Sequence, residues 1–238
     1  MGSGRLPGKV MMHLRGRPML GHLLDRIALA ESVDDIVVAM PDSPENDSIA
    51  RFCLNEQIAH FRGSEQDNLD RLARALKQQH ADIGVVVYGD NPLIDPRIID
   101  EHLKIFQSNP SLDWVGNNLR TTFPSGMEVE VFKFEAIEKA NMFDLPLEIR
   151  EHATLAIRQN PSSFALQNIE ARGKRRRSDL AMGIDSIEDV KVVGMILDHF
   201  AGQDSFRLEE VIEFLDANPS IADINRRVFR RWRKYRND

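Results

Sequence analysis

Up to about residue 107, short apolar runs take turns with segments whose apolar positions recur every three or four residues. Met19, Leu20, Leu23, Leu24 and Ile27 predict a helix over 18–30, with Pro18 near its first turn. Residues 33–40 read as a strand stopped by Pro41 and Pro44, and helical spacing resumes over 47–57. A short strand at 58–61, a turn at Gly63 and Ser64, and a helix over 67–79 lead to Val85, Val86 and Val87. This β-branched run has no polar alternation, which predicts a parallel strand covered on both faces. Gly89, Pro92 and Pro96 end it, and a helix follows over 96–107. Asp90 therefore stands just past the carboxyl end of a strand, where open parallel sheets place their ligands. Alternation of this kind predicts an α/β fold with a doubly wound, Rossmann-like, mainly parallel sheet.

Beyond residue 107 the pattern changes. Residues 114–117 predict a strand, and 127–132 alternate with period two, which predicts a half-exposed strand, antiparallel to its neighbours, with Glu128 and Glu130 on the polar face. Helical spacing covers 134–141, 147–158 and 187–200, the last started by Asp185 and Ser186. Strands are expected at 164–170 and 179–184, flanking a basic turn at 173–177 that reads as solvated. Two helices, 208–215 and 221–235, close the chain. In the second, Val228, Phe229 and Trp232 share a side that would dock on the body, leaving the arginines in solvent. The expected organisation is one domain over 1–238, with an insertion-like segment at about 123–180 and a C-terminal helical extension at about 205–238.

Length and composition narrow the class. A chain of 238 residues with 42% hydrophobic and 29% charged residues can bury a sizeable core, and no run of eighteen apolar residues offers itself to a bilayer. The formal net charge of −6 argues against general nucleic-acid binding. Cys53 is the lone cysteine, which excludes an intrachain disulfide; it reads as a small buried residue. With no apolar signal core at the start, a cytoplasmic location is expected.

Two features carry candidate chemistry. Residues 1–10 combine Gly2, Ser3, Gly4 and Gly8 with Arg5 and Lys9, a backbone able to wrap a phosphate with cations to neutralise it; the same stretch also reads as a frayed terminus or a tag remnant. Asp90 and Asp185 each follow a predicted strand. Two such carboxylates can hold Mg²⁺ beside substrate phosphates, or each can simply cap a following helix.

The motifs Met1-Gly-Ser followed by Arg5-Leu-Pro-Gly-Lys9, then Phe61-Arg-Gly-Ser-Glu-Gln-Asp-Asn-Leu-Asp-Arg71 and Gly89-Asp-Asn-Pro-Leu-Ile-Asp-Pro96, come in a telling order. Gly126-Met-Glu-Val-Glu-Val-Phe132, Arg150-Glu-His152 and Ile184-Asp-Ser-Ile-Glu-Asp189 complete the set. Together they resemble the CMP-sugar synthetases (cytidylyltransferases), in particular the branch called spore coat polysaccharide biosynthesis protein F, from residue 1 to about residue 200. The resemblance implies a nucleotide-diphospho-sugar transferase type of fold and transfer of CMP from CTP to a sugar acid, nonulosonic or related, with Mg²⁺ and release of pyrophosphate. It implies Arg5, Lys9, Asp90 and Asp185 as catalytic, with Asp90 and Asp185 on the metal. Ser3, Arg5, Lys9, Arg62, Ser64, Arg71 and Asp90 would bind the nucleotide. Glu128, Glu130, Arg150 and His152 would contact the sugar, in a segment that also forms a homodimer. A nucleotidyltransferase using another base or acceptor shares these residues, and a non-catalytic nucleotide- or sugar-binding subunit is the reading from another class. Members carry a hydrophobic strand ahead of the Met-Gly-Ser motif; here that first strand is missing, so the natural start is expected upstream. Ser186 replaces a common Thr, with the hydroxyl kept.

Overall fold

The structure, a computed structural model, describes residues 6–203 and 205–230. Ser3, Arg5 and Trp232 lie outside them. After a 3-10 turn at Lys9–Met11, β1 (His13–Leu14) and β2 (Arg17–Pro18) form a tiny antiparallel hairpin. Its two turn residues, Arg15 (φ 53°) and Gly16 (φ 79°), both take the left-handed backbone that a two-residue hairpin requires. Then α1 (Met19–Ile27), β3 (Val37–Pro41), α2 (Asp47–Asn55), β4 (Ala59–Gly63), α3 (Asn68–Gln78), β5 (Ile83–Val86) and α4 (Pro96–Gln107) follow the predicted alternation. The second half comprises β6 (Trp114–Gly116), β7 (Glu130–Lys133), α5 (Phe134–Asn141), α6 (Leu147–Arg150), α7 (Leu155–Arg158) and β8 (Leu166–Asn168). It closes with α8 (Ile187–His199), α9 (Leu208–Ala217) and α10 (Pro219–Asp223).

β3 and β4 pair in parallel, and a second sheet runs in the order β5-β7-β6-β8. β7 lies antiparallel to both β5 and β6, and β6 is parallel to β8. Among the described residues, β3 and β5 each keep one edge without a ladder partner. Both faces of the larger sheet are covered. Val115 and Val131 point into a core shared with Ile98, Ile99, Val193, Ile196 and Val211, while Trp114 and Phe132 point into a second core with Leu69, Leu76, Ile137 and Ile157.

That two-sided covering corrects the reading of 127–132 as half-exposed: Glu128 and Glu130 are both buried, because a helical layer lies on the face where alternation alone puts solvent. Val85, Val86 and Val87, expected in a parallel strand covered on both faces, are only partly buried, and the one ladder partner of β5 among the described residues, β7, runs antiparallel to it. The helix expected over 147–158 divides into α6 and α7, and 179–184 makes only a single bridge, Ser125 with Ala181. The tail inverts its prediction. The helix stops at Asp223, Phe229 is 79% exposed and Arg230 is 4% exposed. The turn at 173–177 is not merely solvated either: Arg175 pairs with Glu101, and Lys174 and Arg177 reach Glu213 and Asp216 of α9.

Candidate active site

Two backbone segments pass at a distance that only glycine allows. Ser125 O accepts the amides of Met182 (2.7 Å) and Gly183 (3.1 Å), and Gly126, at φ 100°, lies so close that a Cβ there would stand 2.5 Å from Gly183 N. This approach aligns 182–185 beside the turn after β5, where Ile184 N donates to Asp90 O at 2.8 Å. The two acidic turns foreseen on separate strand ends are thereby joined.

Lys9 completes the group. Its Nζ lies 2.7 Å from Asp90 Oδ2, 2.6 Å from Ile184 O and 3.3 Å from Asp185 Oδ1. Glu128 backs the cluster, accepting from Gly126 N (2.8 Å) and Asn91 Nδ2 (3.3 Å). Burial pushes the Asp90 carboxyl above its ordinary range; Lys9 opposes this, and the negative charges of Asp185 and Glu128 add to it. Neither aspartate caps a helix. Asp95 caps α4, and Ser186 caps α8 in a capping box with Asp189. Three hard oxygens, the two carboxylates and the Ile184 carbonyl, thus surround one ammonium. The same donors suit Mg²⁺, which needs only one or two carboxylates plus substrate phosphates. Among the described residues no group of three or more His, Cys, Asp or Glu forms a metal cluster.

The other predicted residues fall into separate groups. Arg62, at the end of β4, is engaged by Asp42 (2.9 Å), Asp47 (2.7 Å) and Ser43 O (2.8 Å). Arg71 is buried, donates to Ser64 O and to Asn68 Oδ1, and burial lowers its pKa. Ser64 Oγ accepts from Asp67 N at 3.1 Å. Arg150 reaches the same loop: its Nε donates to Asp67 Oδ2 (2.7 Å) and its Nη2 to Asn141 Oδ1 (2.5 Å). His152 lies half-buried in the turn between α6 and α7. Glu130 is not on a surface at all. It accepts from Tyr88 Oη (2.7 Å), Trp114 Nε1 (3.0 Å) and Thr154 Oγ1, with Arg158 Nε 3.4 Å away. Burial raises its pKa, but Arg158 and these hydrogen bonds outweigh that and hold it below the ordinary glutamate range. Sequence reasoning missed Tyr88, Asn91, Asp189, Asn225 and Arg230. Only Asp189 carried a local signal, the Ser-x-x-Asp spacing of a capping box.

The α/β fold is that of the nucleotidyltransferases. More narrowly, the chain belongs to the cytidylyltransferase family, whose model, described as Cytidylyltransferase, matches residues 1–219, and it is a CTP-dependent nucleotidyltransferase. It is 35% identical to an uncharacterised protein of Methanocaldococcus jannaschii over 235 residues, 99% of this chain and 94% of that one. The spore coat polysaccharide biosynthesis protein SpsF of Bacillus subtilis is 28% identical, with 93% of each chain covered. A 3-deoxy-manno-octulosonate cytidylyltransferase of Pelobacter propionicus is 35% identical over 113 residues, 46% of this chain and 42% of that one. The solved structure of a cytidylyltransferase from Leptospira borgpetersenii superposes with a TM-score of 0.89 at 28% identity, covering 97% of this chain and 95% of its own. No helix among the described residues is long and apolar enough to cross a membrane.

Proposed function

We propose that the protein transfers CMP from CTP to a hydroxyl of a keto-deoxy sugar acid, nonulosonic or related, releasing pyrophosphate for surface-glycan synthesis. The observation that carries this reading is the meeting of Asp90 and Asp185 at Lys9. The similarity over 113 residues to a 3-deoxy-manno-octulosonate cytidylyltransferase supports the acceptor class.

Asp90 and Asp185 would hold Mg²⁺, which when bound supplies positive charge to the α-phosphate under attack. Lys9, with Arg5 from outside the described residues, offsets the charge that builds on the departing pyrophosphate. Ser3, also outside the described residues, is assigned with them to the phosphates. The stretch from Arg62 to Arg71, Ser64 included, would present backbone and short polar groups to the base. Glu128, Arg150 and His152 are assigned to the acceptor side, where the planar fork of Arg150 suits a carboxylate once it exchanges Asp67 for substrate. Glu130 acts from beneath, through Tyr88, whose chain neighbours lead to Asp90. A cytoplasmic homodimer completes the proposal, with the exposed Met142 and Leu147 of the 123–180 segment as its apolar surface.

Pyrophosphate release, measured with each of the four nucleoside triphosphates and Mg²⁺ across a panel of keto-sugar acids and neutral sugars, tests this. Turnover is expected with CTP and an acid only. Equal turnover with a second triphosphate, or with neutral sugars, overturns it.

A further inference from the structure

The turn that carries Asp185 is held from the far end of the chain. Asp189 is fully buried, and its Oδ2 accepts the amides of Asp185 and Ser186, each at 2.9 Å. A carboxylate out of water needs its charge met by partners of good geometry. Arg230 supplies them as a fork, with Nη1 2.8 Å from Asp189 Oδ2 and Nη2 2.6 Å from Oδ1. Asn225 Nδ2 adds a bond to Asp189 Oδ1 at 2.7 Å and another to Ala181 O at 3.0 Å, so one side chain grips both ends of the segment that presents Asp185. Arg230 Nη1 also lies 4.0 Å from Asp185 Oδ2. Around these two residues the tail is exposed at Arg226 and Phe229. The polar grip, not an apolar face, brings this part of the tail inward.

A helix cap alone asks for none of this, since Ser186 and Asp189 already satisfy the first amides of α8. The extra pair fixes something else: the direction in which the backbone leaves Gly183 and aims the next carboxylate. We propose that Asn225 and Arg230 are positioning residues for catalysis, which hold Asp189 so that Asp185 meets Lys9 and Asp90 at one point. The proposal rests on the reading of Asp185 as a cation- and phosphate-facing group. An arginine suits this place where a lysine does not, because only a planar fork engages both carboxylate oxygens at once.

The test uses the full chain with Arg230→Ala, Arg230→Lys and Asn225→Ala, and Arg226→Ala as the control on the same tail. Three quantities are read: hydrogen exchange of the Asp185 and Ser186 amides, Mn²⁺ affinity without turnover, and kcat apart from KM. Arg230→Ala is expected to speed exchange at both amides, to weaken Mn²⁺ by about tenfold or more, and to lower kcat more than it raises KM, as for other residues that orient metal ligands. Arg230→Lys should recover part of each loss, and Arg226→Ala should match the natural protein. Should Arg230→Ala fail to fold, Arg230→Lys and Asn225→Ala decide. Natural exchange and Mn²⁺ affinity in the folded variants overturn the proposal. So does an activity loss that follows melting temperature alone with exchange at 185–186 unchanged. Full turnover by Asp185→Asn would instead remove the reading of Asp185 itself, and the exchange measurement would still judge the grip separately.

Discussion

Lys9 stands between two carboxylates with a carbonyl as its third partner, so its removal leaves like charges side by side in a partly buried place. Lys9→Ala is expected to lower kcat/KM by about 2–4 kcal/mol of transition-state stabilisation, the scale of losing one preorganised donor. Asp90→Asn should lose turnover while staying folded. The pH profile follows from the raised pKa of Asp90. Only the ionised carboxylate can bind Lys9 or a cation, and protonation sets in at a higher pH than for an ordinary aspartate. In the metal-free protein the Asp90 carboxyl should therefore titrate above 3.8 by NMR, and a titration at or below that value would contradict its burial. Glu130 has the opposite sign. Its folded pKa is lowered, so its contribution to stability is fully present above the ordinary 4.5 and disappears as pH falls through the lower folded value. Glu130→Gln should cost roughly 1–3 kcal/mol in urea unfolding at neutral pH and flatten the loss of stability in acid.

At the scale of elements, the glycine that lets two segments touch is the most exacting position. Gly126→Ala combines a left-handed φ with a Cβ 2.5 Å from Gly183 N and 2.7 Å from Met182 C, both backbone atoms that cannot swing aside. It is expected to destabilise by roughly 1–3 kcal/mol or more and to reduce turnover beyond what the melting temperature explains, because 182–185 must shift. A variant with natural stability and activity would show the approach to be dispensable. Sequence patterns located α4 and α5 to the residue, since each has a full helical stripe and clear limits. They passed over β1 and β2, where two residues are too few to show a period. They put solvent on Glu130 because alternation reports which side chains share a face and not what lies on that face. Asp90 was legible as an acid past a strand end and Asp185 as an acid after an apolar run, although that run makes only a single bridge; the Ile184 carbonyl and the Glu128 contact were not, because both depend on the close backbone pass at Gly126.

For the whole molecule, the expected doubly wound arrangement holds in its layers, and the division of its strands into two sheets leaves β3 and β5 each with an open edge among the described residues. Such edges are templates for further strand pairing. The tail escaped its pattern for a reason of range. Val228 and Phe229 have helical spacing with Trp232, but Arg230 answers to a buried carboxylate 41 positions earlier. The order of those positions matters during translation. Lys9 emerges first and waits for Asp90, 81 residues on, and then for Asp185, 176 residues on. Asp189 receives its partner last, from Arg230, 41 residues on. A chain that stopped between Asn225 and Arg230 would keep every described element of secondary structure and lose the fork on Asp189, leaving Asn225 as its partner from the tail.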